Sequence, residues 1–242
     1  MFVGHYGVAF AAKAIRPDLP LGGLFVATQA MDIVFSGLLL IGVERASIVP
    51  DGAGPAGVEL VHVPYSHSLV AAVLIALAAA LGVMFLHRNR RELGRSGLCK
   101  SAAVVAVVVL SHYLLDALVE DGTLPLFDAT PRVGIGLPVL PILVVESLFV
   151  LAGAALYARA TVPVDLIGRL GIPALAVALV AFNGYVAVAP SPTTVTLLAV
   201  SNVGAYAGIA SVAWLLDRRR VPDVHWHGDT LRKAANFSRG GV

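Results

Sequence analysis

Long apolar runs alternate with short polar, glycine- or proline-rich breaks along this chain, and the runs have the length of membrane spans. About 20 mainly apolar residues cross the roughly 30 Å of bilayer hydrocarbon as a helix. Six windows qualify: Leu21 to Val43, His67 to Leu86, Ser101 to Val119, Ile135 to Ala158, Gly168 to Val188 and Thr193 to Leu216. Stretches such as 16–20, 87–91 and 189–192, rich in proline or arginine, separate them. Met1 to Ile15 is also apolar but too short to cross at about 1.5 Å per residue. It lacks the basic start and cleavage site of a removable signal peptide, so the pattern predicts a half-spanning or re-entrant helix. The predicted fold class is all-α: a polytopic membrane helix bundle with six full transmembrane helices plus the short N-terminal helix.

Charge sets the direction of the spans. If Leu21 to Val43 runs outward, the inner segments hold 15 of the 17 basic residues: Lys13, Arg16, Arg88, Arg90, Arg91, Arg95, Lys100, Arg159, Arg169, Arg218, Arg219, Arg220, Arg232, Lys233 and Arg239. Only Arg45 and Arg132 remain for the outer loops. This positive-inside asymmetry predicts a multi-pass inner (plasma) membrane protein, with loops 44–66 and 120–134 outside and the 217–242 tail cytoplasmic. Topology therefore accounts for the basic residues without any anionic partner, and no nucleic acid is expected. Composition agrees: 58% of the 242 residues are hydrophobic and 13% charged, against roughly 25% charged in soluble domains, and the mean hydropathy is +0.86. A single cysteine, Cys99, excludes an intrachain disulfide and a cysteine metal cage. Residues 1–160 carry the candidate chemistry, 161–216 add two spans, and 217–242 form the basic tail.

Against this background the informative residues are those hydrocarbon should exclude: Asp32, His112, Asp116 and Glu146. Each costs about 2.5–3.5 kcal/mol at the bilayer centre. His112 and Asp116 stand at i and i+4, on one helix face, and Glu120 continues the stripe. His67 lies at the outer start of the second span, where Ser66 is placed to cap the helix, and His62 precedes it in the same loop. Counting residues from each interface places Asp32, His112, Asp116 and Glu146 from mid-membrane outward, compatible with one cavity open to the outer face. His5 joins them if the N-terminal helix starts in the outer half and descends, which also carries Lys13 and Arg16 to the inner interface.

Imidazole nitrogens and carboxylate oxygens without thiolates suit zinc, manganese or iron bound as borderline cations. A structural zinc ion contributes about 10–16 kcal/mol in small sites, comparable with the summed insertion cost. A ligating histidine needs its second nitrogen oriented by a partner, and Tyr65, Ser66, Ser68 and Ser111 are near in sequence. The chemistry that follows is hydrolysis by activated water, with His5, Asp32, His67, His112 and Asp116 holding metal and Glu146 as a further ligand or general base. The same groups would also serve a metal-free network that fixes helix packing, or a proton or cation path. Asn183 and Asn202 are expected to make interhelical hydrogen bonds, and Gly204 and Gly208 form a GxxxG pair. His225-Trp-His227 lies on the opposite side of the membrane from the other candidates and reads as solvated tail.

The order His5, Asp32, His67-Ser68, His112xxxAsp116 resembles the bacterial inner-membrane family of predicted metal-dependent hydrolases that includes a LexA-regulated membrane protein. The resemblance covers about residues 1–160 and rests mainly on Pro64-Tyr-Ser-His-Ser-Leu69 and Leu110-Ser-His-Tyr-Leu-Leu-Asp116. That family is distantly similar to zinc-dependent phospholipase C and P1-type nucleases, which bind zinc through His and Asp residues including an HxxxD helix. The resemblance thus implies that His5, Asp32, His67, His112 and Asp116 are zinc ligands, with Glu146 a further candidate. It also implies phosphoester chemistry, with a membrane lipid headgroup or a small molecule as substrate.

Overall fold

A computed structural model describes residues 3–49, 57–127 and 131–226. Eight α-helices run α1 His5–Ile15, α2 Leu21–Thr28, α3 Ala30–Leu40, α4 Leu69–Leu86, α5 Gly94–Val119, α6 Val139–Ala160, α7 Leu166–Val188 and α8 Val195–Asp217. Five of them, α4 to α8, are each long and apolar enough to span a membrane, and α2 with α3 makes a sixth, broken span bent by 55°. The protein is therefore a multi-pass helical membrane bundle. α1 has 11 residues, the half-length element that the pattern predicts. Three two-stranded antiparallel sheets trim the ends: β1 Arg45–Ile48 with β2 Val58–His62, β3 Leu124–Pro125 with β4 Arg132–Val133, and β5 Thr161–Pro163 with β6 Arg220–Pro222.

Two boundaries differ from the hydrophobic windows for local reasons. α5 begins seven residues earlier than the apolar run, at Gly94, because a polar helix end in the interface keeps its backbone hydrogen-bonded. α6 begins at Val139, not Ile135, because Gly134 and Gly136 adopt φ of 152° and 67° and Pro138 is the N-cap, a backbone path that no helix follows. Ser68, not Ser66, caps α4, accepting from Ala71 N at 3.0 Å.

Basic residues gather at one end of the bundle. There Lys13 Nζ lies 3.0 Å from Asp217 Oδ2, and Arg16 donates to Gly97 O and Ser101 Oγ. Arg220 donates to Thr161 Oγ1, Ala158 O and Thr161 O, clasping the α6–α7 connection. An apolar core that includes Tyr6, Phe10, Leu24, Phe25, Val105, Val108 and Tyr157 fills the middle. Lipid-facing surfaces stay apolar, as Leu74, Leu81, Phe85, Leu148 and Leu170 do.

α1 sits unusually close to α6. A Cβ on Gly7 would lie 2.2 Å from Phe149 O, and one on Gly153 would lie 2.1 Å from Gly7 O, so only glycine permits this backbone approach. The contact seats the first turn of α1 deep in the bundle. By contrast, nothing lies within 4 Å of a Cβ built at Gly204 or Gly208. Asn183 Nδ2 donates to Leu143 O across α7 and α6 at 3.4 Å, the interhelical bond expected of it.

Candidate metal centre

Three helices and the turn before α4 converge on one polar cluster. The break between α2 and α3 at Gln29, which occurs without proline, does two things. It turns α3 so that Asp32, in its first turn, faces α5, and it leaves Thr28 as the last residue of α2. Terminal helix carbonyls have no intrahelical partner, and Thr28 O lies 2.6 Å from His112 Nδ1. A carbonyl only accepts, so His112 Nδ1 carries a proton, and Nε2 is a lone pair whenever the ring is neutral.

That Nε2 is buried and makes no hydrogen bond. It lies 3.1 Å from Asp116 Oδ2 and 3.6 Å from Asp32 Oδ1. His67 Nε2 lies 3.2 Å from Asp32 Oδ1 and 3.8 Å from Asp116 Oδ2. His5 Nε2 lies 3.5 Å from Asp116 Oδ1, with its ring centroid 3.9 Å from that of His112. Two groups of three ligand atoms result, His5–His112–Asp116 and Asp32–His67–His112, each within 4.8 Å. The five residues that the sequence nominates as ligands are thus brought together from α1, α3, α5 and the turn before α4. Glu146 is buried nearby on α6, its Oε2 3.4 Å from Val3 N, outside both groups. His62 is exposed on β2, and Glu120 accepts from Thr123 Oγ1; neither joins the cluster. His225 lies beyond α8 at the basic end, while His227, Arg232, Lys233 and Arg239 lie outside the described residues.

Three contributors escape the sequence reading. Glu44, buried at the exit from α3, accepts from Tyr65 N at 2.9 Å, Ser66 N at 2.8 Å and Ser66 Oγ at 2.6 Å. Ser66 Oγ is in turn 2.7 Å from His67 Nδ1, so of the candidate orienting side chains Ser66 takes the part, while Ser111 donates to Val108 O. The Thr28 carbonyl is the second. Tyr206 on α8 is the third, donating to Asp32 Oδ2 at 2.8 Å and drawing residues 161–216 into the same site.

The donor set fits a divalent cation. His112 Nε2 and carboxylate oxygens are all electron-pair donors, and bringing them together without a positive centre is repulsive. The four separations of 3.1, 3.2, 3.6 and 3.8 Å bracket the roughly 3.3–3.6 Å edge of a tetrahedron with zinc–ligand bonds of 2.0–2.2 Å. Side-chain exposure is 15% for Asp32 but only 0–7% for His5, His67, His112 and Asp116, so the cluster opens at Asp32. No protein-family model, curated protein or solved structure matches the chain.

Proposed function

We propose that the protein is a membrane-embedded, metal-dependent hydrolase that cleaves a phosphoester, lipid-linked or carried on a small molecule, in the outer half of the inner (plasma) membrane. The observation that carries this reading is the buried His112 Nε2, which makes no hydrogen bond while Nδ1 donates to Thr28 O, set 3.1 Å from a carboxylate oxygen. His67, His112, Asp32 and Asp116 would hold the ion, most simply zinc, with His5 against the second oxygen of Asp116. A bound divalent ion supplies Lewis acidity toward a phosphoryl oxygen and lowers the pKa of water to about 7. Thr28 O and Ser66 orient the two rings, and Tyr206 holds Asp32 Oδ2 away from them. Phe10, Phe25 and Val108 keep water from passing toward the basic end. Glu146, buried beside the first turn of α1, is the proposed general base.

A groove of about 400 Å³ lined by Pro64, Tyr65, Ser68, Leu74 and Phe127, among others, adjoins the turn that carries His67 and supports a lipid-linked substrate. The charge asymmetry supports an outer position for the cluster and a cytoplasmic tail.

Near-complete burial of the cluster favours a second reading, a cation held between helices during transport. Against it, Ala9, Phe10 and Ala12, 0–5% exposed, make an apolar stretch of α1 between His5 and Lys13.

Metal analysis of protein purified in mild detergent separates these readings from a metal-free scaffold. Stoichiometric metal is expected, lost in a His112→Ala/Asp116→Ala double variant together with hydrolysis of a phosphodiester. Metal no higher in the wild type than in that variant sinks the reading. Metal-dependent cation flux in liposomes without hydrolysis would favour transport.

A further inference from the structure

Glu44 belongs to neither group of candidate ligand atoms, yet its buried carboxylate accepts three hydrogen bonds. We propose that Glu44 is a positioning residue that fixes which nitrogen of His67 carries the proton, acting through Ser66. This inference rests on the reading of His67 as a metal ligand and adds a residue to that site.

The polarity of the chain follows from counting protons. Glu44 Oε1 accepts from two backbone N–H groups, Tyr65 and Ser66, and Oε2 accepts from Ser66 Oγ. Ser66 has one hydroxyl proton and gives it to Glu44. Its oxygen, 2.7 Å from His67 Nδ1, can then only accept, so Nδ1 is the protonated nitrogen. In a neutral ring Nε2, 3.2 Å from Asp32 Oδ1, is then the lone pair that faces the cluster. His112 reaches the same tautomer through a backbone carbonyl, which no side-chain substitution reverses; His67 reaches it through a carboxylate, which one substitution does.

An amide at position 44 should invert the chain. The two backbone N–H groups require the oxygen of the amide, so its NH2 must face Ser66 Oγ. Ser66 then accepts from residue 44 and donates to His67 Nδ1, placing the ring proton on Nε2, where it blocks a ligand position. A general loss of packing would not move that proton.

Nitrogen-15 spectra of the metal-free protein, recorded as a pH series, read the tautomer directly. The wild type should show His67 protonated at Nδ1, and Glu44→Gln should show it protonated at Nε2. Zinc affinity should fall about 10–100-fold in Glu44→Gln, with partial recovery in Glu44→Asp. Ser66→Ala, which leaves both backbone bonds to Glu44 in place, should give mixed tautomers and guards against a Glu44 variant that does not fold. A wild-type ring protonated at Nε2, or a tautomer unchanged in both Glu44→Gln and Ser66→Ala, overturns the inference. Because the spectra need no metal, a wild type that shows the Nδ1 tautomer but binds no zinc would instead count against the hydrolase reading alone.

Discussion

Tyr206 shows how a single hydroxyl shapes the cluster. Its bond to Asp32 Oδ2 at 2.8 Å leaves Oδ1 to face His67 and His112, so the carboxylate presents one oxygen to the rings and anchors the other. Tyr206→Phe keeps the ring volume and removes only the donor. Zinc affinity should drop about 10–100-fold, the usual effect of deleting a group that orients a ligand. Stability should fall by about 1–3 kcal/mol, because a buried acceptor loses its partner. A competition titration against a chelator reads the first effect and thermal denaturation the second; unchanged affinity would remove Tyr206 from the site. Neither Tyr206 nor Glu44 was legible in the sequence. His112 and Asp116 were, because four residues apart on a helix means one face, and Asp32 was, because hydrocarbon excludes it. Tyr206 and Asp32 are 174 residues apart and Glu44 and Ser66 are 22 apart. A tyrosine within an apolar span and a glutamate in a loop are unremarkable until a fold brings partners to them.

At the scale of elements, the spans were readable because length and hydropathy are local properties, whereas the break in the first span and the seat of α1 depend on tertiary contacts. The break at Gln29 places Asp32 and frees the Thr28 carbonyl, so the interruption of a helix is itself part of the site. The seat of α1 depends on Gly7 and Gly153, whose backbones nearly touch. Gly153→Val should push α1 outward, carry His5 away from Asp116, and destabilise the bundle by about 1–3 kcal/mol through overpacking. Gly204→Ala is the matched control: its Cβ meets nothing within 4 Å, and the change should be neutral or stabilising by about 0.5–1 kcal/mol, since glycine weakens a helix interior. Melting of the two variants in the same detergent compares them. Equal destabilisation would mean that the α1–α6 approach does not hold α1 in place. The GxxxG pair in α8, the pattern that sequence alone offers for close packing, therefore stands apart from the contact that the fold uses.

Across the whole molecule, two polar centres lie at different depths with an apolar layer between them, and each is expected to respond to its own substitutions. The second centre is Lys13 with Asp217. Lys13 Nζ donates to Leu19 O at 2.8 Å and Pro17 O at 3.0 Å and faces Asp217 Oδ2 at 3.0 Å. Asp217 also accepts from Leu21 N at 3.0 Å and Tyr157 Oη at 2.7 Å. One ion pair thus ties the end of α1, the start of α2, the end of α6 and the end of α8. The two side chains are only 10% and 12% exposed, so removing one partner strands the other. Lys13→Met should cost about 3–5 kcal/mol, the usual penalty for breaking a buried pair. Lys13→Met combined with Asp217→Asn should recover part of that loss, because the amide oxygen still accepts from Leu21 N, its NH2 can donate to Tyr157 Oη, and the side chain no longer carries an uncompensated charge. Metal binding by whatever fraction remains folded should match the wild type, since Phe10, Leu24, Phe25 and Val105 lie between the two centres. A double-mutant cycle by thermal unfolding, with zinc affinity measured on the same samples, tests both statements. Additive losses would show that the pair does not act as a unit, and a parallel fall in zinc affinity would show that the apolar layer transmits the change instead of isolating it.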